Sequence, residues 1–263
     1  MKNGYEIIHL VRFPKGFARE ITWDFKGPLP SLPECDVIVH LTAYVDFKSE
    51  LNLEQYQVNT LGTLKLALLA RSQNAYIVFA SATGVQGVSG IIDEHILPHP
   101  NNGYIISKYL AEEITRSVVD RYTILRIAGI YGLDGPEHLG LNTAISNAFY
   151  EQRAPILKGL GKAKRNYIYV NDVARWVEYL VEQYGKEKNI PRLQYLAGPE
   201  VITIAQYLDC IDGMLLGGKG VVQQAGSDGN DMIVSGDKAP FELIKFKDYL
   251  QSLRGKMYLR LYK

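Results

Sequence analysis

Short apolar runs rich in β-branched residues recur through the first half of the chain and alternate with stretches of helical period. Glu6–Val11 (Glu-Ile-Ile-His-Leu-Val), Ile21–Phe25, Asp36–Leu41, Ala75–Ser81 and Tyr122–Ile127 are predicted strands. Leu61, Leu64 and Leu68 step by three and four residues and predict a helix. A second helix carries Tyr104, after a loop punctuated by Pro98 and Pro100. Near-continuous apolar strands separated by helices imply an α/β protein with a parallel sheet covered on both faces. Ligands of such sheets bind beyond the carboxyl ends of the strands, which here are Ser81, the Thr42-Ala43 turn and Ala128-Gly129.

After Gly132 the rhythm loosens. Asn142–Gln152 reads as a helix, Gly159–Arg165 as a flexible basic loop and Tyr167–Val170 as a short strand. Asn171 or Asp172 is the expected cap for a helix over Val173–Tyr184. Gly213–Gly229 contains Gly217-Gly218-Lys219-Gly220 but lacks the spacing and the strand-then-helix context of a phosphate cradle, so a plain loop is expected.

Composition narrows the class only slightly. The chain has 263 residues, is 47% hydrophobic and has a formal charge of +1. That balance gives no general attraction to nucleic acid or to acidic membranes. Two cysteines, Cys35 and Cys210, make no disulfide framework, and no metal site is expected from them. No apolar run reaches membrane-spanning length and no signal-peptide layout opens the chain, so a cytoplasmic protein is expected. His40, on an apolar strand, is read as a core residue; His95, His99 and His138 lie in loops without metal-ligand spacing.

The chemistry enters at Gly103-Tyr-Ile-Ile-Ser-Lys-Tyr-Leu-Ala-Glu-Glu-Ile114. Tyr104 and Lys108 lie four apart and share a helix face. A neighbouring ammonium favours the phenolate and should draw the tyrosine pKa down, as proton transfer to or from a hydroxyl requires. Tyr-x-x-x-Lys is a weak pattern alone, and its neighbours give it weight.

Those neighbours resemble the extended short-chain dehydrogenase/reductase group, the NAD-dependent epimerase/dehydratase family acting largely on nucleotide sugars. Asp36-Val-Ile-Val-His-Leu-Thr-Ala43 resembles the family's fourth strand and the turn beneath the cofactor. Val58-Asn59-Thr-Leu-Gly62-Thr63 is similar to its helix motif, and Phe79-Ala-Ser81-Ala-Thr-Gly-Val-Gln-Gly87 to its serine-bearing strand end. Leu125-Arg-Ile-Ala-Gly-Ile-Tyr-Gly132 resembles the strand before the nicotinamide, Arg165-Asn-Tyr-Ile-Tyr-Val-Asn-Asp172 the segment whose arginine holds a substrate phosphate, and Ser235-Gly-Asp-Lys-Ala239 a late motif.

The resemblance implies a Rossmann-like, doubly wound parallel sheet over residues 1–135. It implies a smaller C-terminal α/β substrate lobe over 136–263, from which 166–200 returns to the Rossmann core. It assigns catalysis to Tyr104, Lys108 and Asn59, with Ser81 or Thr83 supplying a hydroxyl. Cofactor contacts fall on Arg12, Asp24, Phe25, Leu41, Thr42, Ala43, Tyr104, Lys108 and Ile127, and substrate contacts on Asn142 and Arg165. The implied activity is an NAD(P)-dependent epimerase/dehydratase-like oxidation of a nucleotide sugar through a keto intermediate. An NADPH-dependent reductase of a small carbonyl compound and a non-catalytic binding protein of the same fold are the alternatives. A homodimer through helices 53–70 and 103–118 is implied as well.

Two departures stand out. The family opens with a strand and a Gly-x-x-Gly-x-x-Gly turn whose helix N-terminus holds the pyrophosphate. Here Met1-Lys-Asn-Gly4 runs directly into what resembles the second strand, which suggests an N-terminally shortened chain with Gly4 as a helix C-cap. Aligned on Val85-Gln86-Gly87, the family's catalytic Ser/Thr falls on Ala82, flanked by Ser81 and Thr83. At the end of the second strand an acidic residue would suit NAD; Val11-Arg12, with Lys15 and Arg19 nearby, favours NADP.

Overall fold

The computed structural model describes residues 4–47, 52–87, 90–186 and 188–261. The expected helix tail at Met1–Asn3 lies outside them; Gly4 has φ +75°. The chain divides into two compact units, Met1–Ser81 with His99–Ile124 and Ile190–Arg192, and Ala82–Pro98 with Leu125–Asn189 and Leu193–Lys263.

The first unit is built on parallel pairings. His9–Val11 pairs with Glu20–Thr22, and Val37–His40 with the start of Tyr76–Ala82 in the register Val37↔Tyr76 to His40↔Phe79. Ile77 N donates to Arg121 O at 3.0 Å, at the start of the strand Tyr122–Ile127. All five expected strands are present, the first three shorter than their apolar runs. The helix expected around Leu61 is present but compound. Leu53–Tyr56 continues through a wider π turn, Gln57–Leu61, into Gly62–Ser72. Leu61 and Leu68 are 49% and 52% exposed, and the buried face carries Leu66, Ala67 and Ala70 instead. Small residues on that face admit close contact with the helix Gly103–Val118, which packs against it.

The second unit centres on the helices Gly140–Glu151, Ile204–Ile211 and Phe246–Leu261, which share a core containing Ile145, Ala148, Ile211 and Leu250. A four-stranded sheet runs Ile202–Thr203, Lys164–Arg165, Met232–Val234, Gly90–Ile92. Lys164–Arg165 pairs antiparallel with Ile202–Thr203, and Met232–Val234 pairs parallel with Gly90–Ile92. Ala128 N donates to Leu196 O at 2.8 Å beside the strand Leu193–Leu196. Parallel pairings with flanking helices give the α/β class expected from sequence.

Three local expectations are corrected. The segment expected as a flexible loop at Gly159–Arg165 ends in a strand, because Asp228 Oδ1 accepts from Leu160 N (2.9 Å) and Gly161 N (2.6 Å), and Asp231 Oδ1 from Lys164 N (2.7 Å). Neither Asn171 nor Asp172 caps the next helix, which starts at Val170. Asp172 is fully buried and accepts from Arg175 Nη1 (3.1 Å) and Ile244 N (2.8 Å), a tertiary role that takes both its oxygens. Gly213–Gly229 is not all loop: Asp212–Leu216 prolongs the preceding helix as a π turn ending at Gly217 (φ +76°), and Val222–Gln224 forms a strand. Burial of Leu215 and Leu216 outweighs the glycine content there.

Candidate active site

Asn102 starts the helix Gly103–Val118, its side-chain oxygen accepting from Ile105 N at 3.0 Å. Tyr104, Lys108, Glu112 and Arg116 then follow at four-residue steps along one face. Lys108 is 2% exposed, and its ammonium lies 4.2 Å from the centroid of the Phe79 ring. Burial brings the Lys108 pKa down to about 7, against the opposing pull of Glu112. The half-buried Tyr104 meets Phe47 edge-on at 5.1 Å between centroids. Burial pushes its phenol up to about 12. The sequence leads one to expect the lysine to draw that phenol down; desolvation of the ring dominates instead, and the lysine ammonium lies against the Phe79 ring.

Asn59 sits in the π turn and is 1% exposed. Its Oδ1 accepts from Tyr44 N (2.7 Å), while its Nδ2 donates to Tyr44 O (2.8 Å) and Ser107 Oγ (2.9 Å). Ser107 Oγ in turn donates to Tyr104 O at 2.7 Å. One buried amide therefore ties the turn after Val37–His40 to the tyrosine's own backbone. Leu41 and Ala43 in that turn are exposed and Thr42 is half-buried. Asn59, Tyr104, Lys108 and the Leu41–Ala43 turn are thus brought together within one unit.

Ser81 takes another direction. Its hydroxyl donates to Glu112 Oε1 at 2.6 Å, and Arg116 Nη2 approaches Glu112 Oε2 at 3.2 Å. Glu112 is fully buried. The sequence motif does not mark Glu112 or Ser107 as site residues; the signal for Glu112 is the continuation of the four-residue step beyond Lys108. In the second unit the Thr83 hydroxyl donates to Ile127 O at 3.4 Å.

The expected adenosine contacts are placed otherwise. Asp24 Oδ1 accepts from Lys26 N (2.9 Å) and Gly27 N (3.0 Å), bonds that lower its pKa and close a turn. Phe25 is 5% exposed, stacked between Trp23 (4.1 Å) and His40 (5.8 Å). Arg12 lies 3.8 Å from Glu54 Oε1. His40 is a core residue, as its strand suggests: its Nε2 is 2.8 Å from Thr63 Oγ1, and burial followed by the Lys108 charge brings its pKa down to about 3. A folded-state value below the unfolded 6.5 means stability that is full above pH 6.5 and lost as pH falls toward 3. Urea unfolding is expected to show a slope of up to about 1.4 kcal/mol per pH unit in that window, reduced in His40→Gln.

The proposed substrate residues lie in the second unit. Asn142 is fully buried; its Oδ1 accepts from Gly132 N (3.1 Å) and its Nδ2 donates to Ile130 O (3.2 Å), so its amide shapes the 130–136 loop. Arg165 Nη1 donates to Lys164 O (2.8 Å) and Asn230 O (2.6 Å), which fixes the guanidinium plane at the end of its strand.

The sequence profile of the NAD dependent epimerase/dehydratase family matches residues 1–195. The chain belongs to this family. Among family relatives, a putative UDP-glucose 4-epimerase of Methanocaldococcus jannaschii is 29% identical over 180 residues, covering 61% of this chain and 59% of the relative. The chain thus spans less than two thirds of that relative's length. A GDP-6-deoxy-D-talose 4-dehydrogenase of Aggregatibacter actinomycetemcomitans is 28% identical over 208 residues, covering 71% and 69%. In three dimensions the chain resembles the UDP-glucuronic acid 4-epimerase of Bacillus cereus solved with NAD, with a TM-score of 0.75 at 20% identity, covering 93% of this chain and 82% of that one.

Proposed function

We propose that the chain is an NAD(P)-dependent oxidoreductase of the epimerase/dehydratase type acting on a nucleotide sugar through a keto intermediate. The observation that carries this reading is the single helix face on which a buried lysine follows Tyr104 by one turn, with the tyrosine backbone anchored through Ser107 to Asn59. The names of the relatives support the substrate class.

The residues present fit the nicotinamide half of a dinucleotide: Lys108 and Tyr104 share a face, and the Leu41–Ala43 turn is open at the carboxyl end of its strand. They do not fit the adenine contacts expected of Asp24 and Phe25, because those side chains are already engaged. Arg12, whose side chain is 54% exposed, favours NADP over NAD in this reading. When bound, the dinucleotide supplies the two-electron oxidation and its reversal. Tyr104 Oη takes the proton of the sugar hydroxyl as the carbonyl forms and returns it on reduction. The oxidative step uses the phenolate, a minor form at neutral pH because burial holds the phenol high, and the Lys108 ammonium one turn away is the cation that would favour it. With its pKa held high, Tyr104 is protonated at neutral pH and is ready to act as the proton donor in the reductive direction.

Arg165 serves as the phosphate clamp in this reading, and its substitution separates the substrate classes. Arg165→Ala is expected to raise KM for a nucleotide sugar by about tenfold or more, since a charged contact contributes on the order of 1.5–3 kcal/mol. Turnover of a small carbonyl compound would be untouched by the same change, and that result would favour the reductase alternative. One observation favours a non-catalytic binding role: the Ser81 hydroxyl is engaged by Glu112, and position 82 carries only a methyl group. Binding of nucleotide sugars without conversion would support it.

A homodimer through helices 53–70 and 103–118 belongs to the same proposal. Leu53, Leu61, Leu68 and Leu110 on these helices are 72%, 49%, 52% and 40% exposed. Leu68→Glu is expected to shift the sedimenting species from dimer to monomer with the fold retained. A dimer unchanged by this substitution would place the interface elsewhere.

A further inference from the structure

Glu112 is a fully buried carboxylate, and the proposed chemistry does not call on it directly. Its two oxygens are separately held, Oε1 by the Ser81 hydroxyl at 2.6 Å and Oε2 by Arg116 Nη2 at 3.2 Å. Lys108 lies one turn earlier on the same helix face and is almost as deeply buried, with its ammonium against the Phe79 ring at 4.2 Å. A lysine buried in this way tends to lose its proton, and a neutral amine could neither stabilise a phenolate nor hold an anionic contact. The charge that opposes this loss is that of Glu112. Among the described residues His40, on the strand Val37–His40, is also coupled to Lys108; it stays neutral through the range in which Lys108 titrates.

We propose that Glu112 is a positioning residue that keeps Lys108 in its ammonium form, and that Ser81 and Arg116 act through Glu112 by fixing and moderating its carboxylate. This rests on the reading of Lys108 as the partner of Tyr104. It assigns Ser81 a role different from the one its place in the sequence suggests. Its hydroxyl addresses a buried carboxylate from the strand Tyr76–Ala82, and so couples that strand to the charge on the helix. Arg116 is 29% exposed at the side chain and also approaches Glu113 Oε1 at 3.4 Å, so it draws off part of the Glu112 field.

The arrangement gives opposite signs for two substitutions. Glu112→Gln removes the anion and should move the Lys108 titration midpoint down by about one pH unit or more, a tenfold loss of proton affinity. Arg116→Gln removes a competing cation and should move the midpoint up. Ser81→Ala, which strips a donor from the carboxylate, should move it in the same upward direction. The midpoint is read from the 13Cε chemical shift of Lys108 in labelled full-length protein, with Lys108→Met identifying the resonance. Where a turnover profile is measurable, its alkaline limb, on which Lys108 loses its proton, should move with the same signs.

If Glu112→Gln fails to fold, Arg116→Gln and Ser81→Ala carry the test. A midpoint that stays in place in these variants, or that shifts in one direction for all three, overturns the proposal. The shifts occurring as expected in a protein that converts no nucleotide sugar would uphold the electrostatic device while refuting the proposed function, so the two failures are distinguishable.

Discussion

Tyr104→Phe is expected to lower turnover by about 10²- to 10⁴-fold, the range associated with losing a positioned proton-transfer group. Little else should change. The ring and its edge-on contact with Phe47 at 5.1 Å are retained, and the backbone anchor from Ser107 Oγ to Tyr104 O at 2.7 Å does not involve the phenol. Thermal stability should therefore stay within about 0.5 kcal/mol of the parent, as for a substitution outside the core contacts. Measuring kcat and the unfolding midpoint on the same preparation separates loss of chemistry from loss of fold. Equal turnover in the variant would remove Tyr104 from the mechanism.

Lys108→Met should abolish turnover to a similar extent and, in addition, change how stability depends on pH. The folded-state pKa of Lys108 is about 7, below the usual 10.5, so the unfolded chain holds a proton that the folded chain lacks between those values. Stability from this group is therefore present above pH 10.5 and lost as pH falls through 7. Its slope is at most about 1.4 kcal/mol per pH unit. Cys35, Cys210 and the buried Tyr131, Tyr207 and Tyr249 have raised values and act in the opposite sense at high pH. These groups are common to parent and variant, so their effect cancels in the difference. Urea unfolding of both proteins at pH 7, 8 and 9 should show the parent losing stability relative to the variant toward neutral pH, by up to about 1.4 kcal/mol per pH unit, if methionine removes the lysine slope. Parallel curves would mean that Lys108 is not held in a depressed state.

The Tyr104–Lys108 face was legible in the sequence because helix periodicity alone decides which residues share a side. The strands were legible for a related reason: Ala75–Phe79 is an unbroken apolar run buried on both faces, and Val37–Val39 is a shorter one, although Val39 is 41% exposed. Asn59 was visible as a motif residue, but its role was not. Its three hydrogen bonds reach Tyr44 and Ser107, distant in sequence, and depend on the π turn that the leucine spacing gives no hint of. Leu61 and Leu68 show the limit of period counting, which finds the helix but not which stripe is buried.

Ser81 shows a second limit. Its position at a strand end suggested a hydroxyl offered to substrate, yet the direction of its side chain is set by Glu112, 31 residues further on. Phe25 and Asp24 differ from expectation because tertiary stacking and a local turn engage them first. In each case the sequence supplied the residue type, and long-range packing decided its partner.

The most direct test of the account is the absorbance at 340 nm after the full-length protein is mixed with NAD or NADP and a UDP- or GDP-linked hexose in a single turnover. A rise in absorbance with the parent protein, absent in Tyr104→Phe although the nucleotide sugar still binds, is the expected result. Tight binding of both ligands with no rise for any nucleotide sugar, or an equal rise in Tyr104→Phe, would contradict it.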